Sequence, residues 1–156
     1  DSVSLSTSAS LPLVPPSAKS RQRRYNAGRL WCHLYINQAM LENGFDLVKK
    51  LIGREGCNTK EIYDKTSTKV RVRGQGSGHR EVRNGQEARV HLMMALAADH
   101  GCQEDFKRAF VMAKGLLQDV SKRFTGFCCE RHISDLTGPS FWVGESSDES
   151  LACLDE

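Results

Sequence analysis

Two glycines three residues apart, Gly53 and Gly56, constrain this chain more than any other feature. Ahead of them Phe45, Val48, Leu51 and Ile52 recur at helical steps, one apolar face of a short helix. Behind them Asn58 is placed to cap a second helix, in which Ile62 and Tyr63 point inward. A chain that ends one helix and starts another within Gly53-Arg54-Glu55-Gly56 needs a tight backbone turn, which glycine supplies because it has no Cβ. The same lack of side chains leaves the turn bare to a close ligand.

Strand-like periods flank this helical pair. LWCHLYI, 30–36, mixes aromatic and aliphatic residues suited to a strand, and Glu42-Asn43-Gly44 breaks the pattern that follows. KVRVR, 69–73, alternates strictly, with Val70 and Val72 on one face and Lys69, Arg71 and Arg73 on the other. The polar, glycine-rich stretch 74–87 reads as a loop. ARVHLMMALA, 88–97, then predicts a third strand with Val90, Leu92, Met94 and Leu96 on one face. After a turn at Asp99-His100-Gly101, Phe106, Ala109, Phe110, Ala113, Leu116, Leu117 and Val120 mark the buried stripe of a long helix over 103–123.

The flanks differ in kind. Residues 1–29 are rich in Ser and Pro and carry RQRR at 21–24, a basic leader expected to be disordered. Residues 125–156 hold seven acids against one base and are expected to be a mostly disordered acidic tail, in which Phe141-Trp142-Val143 docks locally at most. The central 31–124 carries sixteen bases and eleven acids, a mild positive excess that permits a polyanionic partner. No apolar run approaches a membrane span. The six cysteines form no CxxC pair, which favours reduced thiols and a nuclear or cytoplasmic setting.

The run Val48-Lys49-Lys50-Leu51-Ile52-Gly53-Arg54-Glu55-Gly56-Cys57-Asn58-Thr59-Lys60-Glu61-Ile62 resembles the core of a KH domain. Its features are an Ile-Gly-x-x-Gly turn and a Lys and an Ile on the following helix. Thr66-Ser67-Thr68-Lys69-Val70-Arg71-Val72 is similar to the family's Thr-Gly-Ala-x-Ile-x-Ile entry into its second strand. Arg73-Gly74-Gln75-Gly76-Ser77 resembles the Arg-Gly-Lys-Gly-Ser stretch of the branch that holds the branchpoint-binding splicing factor and the STAR proteins. Val90-His91-Leu92-Met93 is similar to that branch's third strand. The resemblance covers residues 30–124. It implies an α+β, type I KH fold, in the order β-α-α-β-β-α, with a three-stranded antiparallel sheet packed on three helices.

The resemblance also implies a partner, single-stranded RNA or single-stranded DNA, and a setting in mRNA processing or regulation. Such a turn clamps the backbone of about four nucleotides, here through Gly53, Arg54, Glu55, Gly56, Cys57 and Asn58. Val48, Ile52, Val70 and Val72 would line an apolar groove for bases. Lys60, Arg71 and Arg73 would join Arg54 in attracting phosphate, with Ser77, His79 and Arg80 touching RNA from the glycine-rich loop. Glu55 is a departure, an acid where the family has basic or neutral residues. Thr59 and Lys49 are two more, standing for an aliphatic residue and a glycine. These leave open a degenerate KH module that binds protein instead.

Other patterns lead to blander readings. Gly74-Gln75-Gly76-Ser77-Gly78 puts His79 where a nucleotide-binding GxGxxG needs glycine, and no apolar-striped helix follows. Cys128-Cys129-Glu130-Arg131-His132 offers adjacent thiols and no fourth ligand, a poor tetrahedral site. No histidine stands in a local pattern with a nucleophile and base. Neither an enzyme nor a cofactor or metal is called for.

Overall fold

The computed structural model describes residues 29–99 and 103–147. The basic leader before residue 29, residues 100–102, which include most of the turn expected at Asp99-His100-Gly101, and the terminal acids from residue 148 lie outside the described residues.

Alternation builds the sheet. β1, Leu30–Ile36, buries Leu30, Cys32, Leu34 and Ile36 and turns Trp31, His33 and Tyr35 the other way. β2, Lys69–Arg73, buries Val70 and Val72 beneath a basic outer row. β3, Met93–Ala98, lies between them, and all pairings are antiparallel, with Leu34 opposite Met94 and Val72 opposite Met94 from the other side. β3 begins at Met93, not at Ala88 as the alternation suggested. The segment before it serves the loop: the Val90 carbonyl accepts from Gln75 N at 3.0 Å, and Val90 is 41% exposed.

The sheet has four strands rather than the expected three, in the order β2-β3-β1-β4. β4, Phe141–Ser146, comes from the stretch expected to be a mostly disordered tail and pairs with β1, Trp142 against Tyr35 and Phe141 against Ile36. Backbone bonds from Asn37 N to Ser140 O (2.8 Å) and from Ser147 N to Trp31 O (3.0 Å) tie both ends down. The strand covers the β1 edge, whose amides and carbonyls would otherwise stay open.

Beside a 3-10 turn at Gln38–Met40, the α-helical residues among those described form two bodies where three helices were expected. One is interrupted: α1, Leu47–Ile52, the Gly53–Gly56 turn, then α2, Cys57–Thr66. The other is α3, Gln103–Arg131, about 43 Å long at the α-helical rise. It passes the expected end at 123 because Val120, Phe124 and Cys128 keep the four-residue step and are buried. Phe124 and Phe127 there pack against Phe45, edge-on and tilted, with ring centroids 5.0 and 5.3 Å from it. The core lies between these helices and the inner face of the sheet. Ile62 joins it, whereas Tyr63, expected inside, is 47% exposed.

Candidate nucleic-acid interface

The turn is held by its own neighbours. Gly53, at φ 85°, donates its amide to Lys49 O at 2.9 Å. A Cβ on Gly53 would meet both Asn58 Cγ and Cys57 Sγ at 2.7 Å, so only glycine fits. Asn58 was expected to cap α2. Instead its Nδ2 donates back to Lys50 O (3.2 Å) and Leu51 O (3.3 Å), satisfying carbonyls left open at the end of α1. The N-cap position of α2 falls to Gly56, at φ 79°, which has no side chain to accept from the helix amides; the Thr59 hydroxyl donates to its carbonyl at 3.1 Å. A ten-residue helix therefore begins beside the turn without a side-chain N-cap, its first amide, Cys57 N, donating to Arg54 O within the turn, and the partial positive charge of that end faces outward.

Charge around the turn is mixed. Lys49, Arg54 and Lys60 are exposed. Lys50 is engaged inward, donating to Phe45 O with its ammonium 4.6 Å from the Phe45 ring centroid. Glu55 is exposed and holds the left-handed φ of 55° at the tip. A hollow of about 680 Å³ opens beside the turn toward α3, where Leu116, Asp119 and Arg123 form its far wall. The thiol of Cys57 is exposed near the turn.

The sequence candidates divide between two faces. Val48 and Ile52 pack half-buried against the core beside the turn, and Val70 and Val72 are buried in it. Arg71, Arg73 and His79 lie elsewhere, on the outer face of the sheet, where they line a trough of about 670 Å³ with Trp31, His33 and Ala95. The alternation of β2 requires this, since residues between Val70 and Val72 must face away from the helices. Arg73 there pairs with Glu81 at 2.8 Å, and His79 Nε2 lies 3.1 Å from the same carboxylate. The Arg73 hydrogen bond is the main cause holding the Glu81 carboxyl below its usual range.

Ser77 and Arg80 have structural partners. The buried Ser77 hydroxyl donates to Gly74 O at 2.6 Å and accepts from His79 N at 3.1 Å. Arg80 donates to Gly85 O at 3.0 Å. The amides of Gly76 and Gly78, which resembled a phosphate loop, both donate to the Glu87 carboxylate. An acid of the chain itself fills that nest. At the far end of α3, Cys128 is buried and Cys129 exposed, so the adjacent thiols point apart. Burial raises the thiol pKa of Cys128 and pushes that of Cys32 up to about 12.

Sequence reasoning did not single out the aromatic row on the same outer face. Trp31 and His33 have centroids 5.0 Å apart, His33 and Tyr35 6.4 Å, and Tyr35 and Trp142 6.0 Å. His91 closes the end, 5.6 Å from Tyr35 and 5.4 Å from Trp142. Glu145 borders the row: it accepts from the Tyr35 hydroxyl and lies 3.6 Å from His33 Nδ1. The Tyr35 bond is the main cause holding the Glu145 carboxyl below its usual range. A signal was present in LWCHLYI, whose every second residue is aromatic or His, but only register brings Trp142 alongside.

A family profile described as KHDC4/BBP-like, KH-domain type I, matches residues 41–118, half of the chain. The matched span holds the turn, α1, α2, β2, β3 and the first half of α3, whereas β1 and β4 lie outside it. No curated protein matches the chain.

Proposed function

The chain belongs to the KHDC4/BBP-like family of type I KH domains, and from that premise we propose that it binds a short stretch of single-stranded RNA through the Gly53–Gly56 turn. Family membership supports nucleic-acid binding in general. The observation that carries the finer reading is the uncapped start of α2 directly behind a turn whose first residue admits no side chain. A helix N-terminus with no side-chain cap favours a phosphate there, and about four nucleotides fit the grip of such a turn. Lys49, Arg54 and Lys60 add screened, sequence-independent attraction. Val48 and Ile52, half-buried beside the turn, offer apolar surface to bases. The setting is RNA processing or regulation in the nucleus or cytoplasm.

Replacing Arg54 and Glu55 together by Asp tests this. Binding of a labelled, random single-stranded RNA pool, followed by anisotropy, should weaken by at least about tenfold as one cation is lost and the tip becomes doubly acidic. Undiminished affinity would count against the turn. Glu55, an exposed acid at the tip, favours a second reading, a protein-binding module on the same fold. RNA affinity that falls steeply with salt favours the first reading. An absence of RNA binding even at low salt favours the second.

A further inference from the structure

We propose that the open face of the sheet is a second surface for single-stranded nucleic acid, taking bases on its aromatic row and phosphates on its basic row. The proposal goes beyond the turn, which lies on the other side of the sheet, and shares with it only the class of ligand.

Three observations converge. First, Trp31, His33, Tyr35 and Trp142 form a continuous row along β1 and β4, and Trp142 is 40% exposed. Aromatic faces of this kind stack unpaired bases with little regard to sequence. Gly144 keeps the row in place: a Cβ there would lie 2.2 Å from Tyr35 Cε2. Second, Lys69, Arg71 and Arg73 form a parallel row on β2, with Arg29 at the end of the trough. Third, β3 separates the two rows and presents Ala95 and Ala97 outward, with the larger, buried Met93 on the same face only at the Tyr35–Arg73 end, so the floor of the trough is open along the two alanines. The rows are two strand spacings apart, about 10 Å. That is comparable to the reach of one nucleotide from phosphate to base.

The acids are arranged to sort the two ends. Asp99 faces Arg29 at 3.4 Å and Lys69 at 3.9 Å, and Glu81 faces Arg73. Arg71, central in the β2 row, makes no direct ion pair among the described residues, although its charge still acts on Glu81 from a distance. Glu145 borders the aromatic row, where it disfavours phosphate and directs the backbone to the β2 side. Four basic residues against two acids line the trough itself, which gives the charge complementarity a polyanion needs.

The chain has two tryptophans, and both lie in this row. Their fluorescence therefore reports on the open face. The test uses the whole chain with Arg54 and Glu55 both replaced by Asp, so that the turn is disabled. The probe is a single-stranded oligouridylate of about twelve nucleotides. The expected result is quenching of tryptophan fluorescence that saturates. Adding Arg71→Ala and Trp142→Ala together should weaken affinity by about tenfold. Arg71→Glu alone, at an exposed site, should weaken it even if the Trp142 variant folds poorly. Binding by the unaltered chain with no quenching would leave the turn standing and overturn the second surface. Quenching in the turn-disabled chain, with affinity equal to that of the unaltered chain, would support this surface and remove the turn. Unchanged fluorescence together with concentration-dependent self-association, abolished by Trp142→Ala, would overturn the proposal in favour of a protein-docking face.

Discussion

The two faces of this molecule are built on opposite principles. The turn side is local: residues 46–60 make it, and its polar groups are backbone amides and the end of a helix. The open face is assembled from distant segments. Trp31 and Trp142 come together only because β4 returns to pair with β1, and the basic row reaches them only across β3. A backbone-built site tolerates changes in side-chain shape, though not in nearby charge, and does not tolerate changes in backbone path. A side-chain-built site does the reverse. The difference teaches where each face is vulnerable.

One glycine on each side sets up the strongest contrast. Gly53→Ala forces a Cβ to within 2.7 Å of Asn58 and Cys57 at a φ of 85°, a region that side chains avoid. Gly144→Ala forces a Cβ to within 2.2 Å of the Tyr35 ring. Each should destabilise the fold by about 1–3 kcal/mol in urea unfolding. The functional effects should separate. Gly53→Ala disturbs the turn and leaves the tryptophan emission unchanged, whereas Gly144→Ala shifts that emission by tilting Tyr35 against Trp142. Equal emission changes in both variants would mean that the two faces are mechanically coupled.

This contrast also explains what was legible in the sequence. β1, β2, the helix pair and the turn each announce themselves within a few residues, through periodicity and the spacing of Gly53 and Gly56. Asn58 was expected to accept from the amides of α2 as its N-cap, but it is the second residue of that helix and its side-chain amide donates back to carbonyls at the end of α1, where capping rules, which look forward along a helix, do not reach. The end of α3 was missed although Val120, Phe124 and Cys128 continue its stripe, because Thr125 and Gly126 dilute the local helical signal. β4 was unreadable as a strand. Its partner lies more than a hundred residues away, and acids and serines surround it in sequence. Arg71 and Arg73 were identified as basic and outward, yet which side "outward" meant needed the third strand.

A smaller effect is expected at the tip of the turn. Glu55 holds a left-handed φ of 55°, which costs a non-glycine residue about 1 kcal/mol, and asparagine tolerates that region better. Glu55→Asn should raise stability by about 0.5 kcal/mol and tighten RNA binding several-fold at low salt, because an acid leaves the phosphate site. The open face should not respond: tryptophan quenching in Glu55→Asn should match that of the unaltered chain. Tighter binding accompanied by stronger quenching would show that one strand of RNA engages both faces at once.

The smallest expected effect belongs to the open face and appears with acid. Glu81 and Glu145 both have carboxyls held below the ordinary value of 4.5, by the Arg73 hydrogen bond and the Tyr35 hydroxyl respectively. A carboxylate whose pKa is lower folded than unfolded stabilises the fold while it is ionised in both states. That contribution is complete above the ordinary value and disappears as pH falls through the depressed one. The melting temperature should therefore drop as pH falls below the ordinary carboxylate value of 4.5, and Glu81→Gln and Glu145→Gln should each flatten that limb. Both groups are at the surface, so solvent screening keeps the change modest, and added salt should shrink the Glu81 part more than the Tyr35–Glu145 part. The first depends on a full guanidinium charge, the second on a neutral hydroxyl donor. If salt erased both equally, the Tyr35–Glu145 contact would be acting through charge on His33, 3.6 Å from the same carboxylate, rather than through the hydroxyl that anchors the aromatic row.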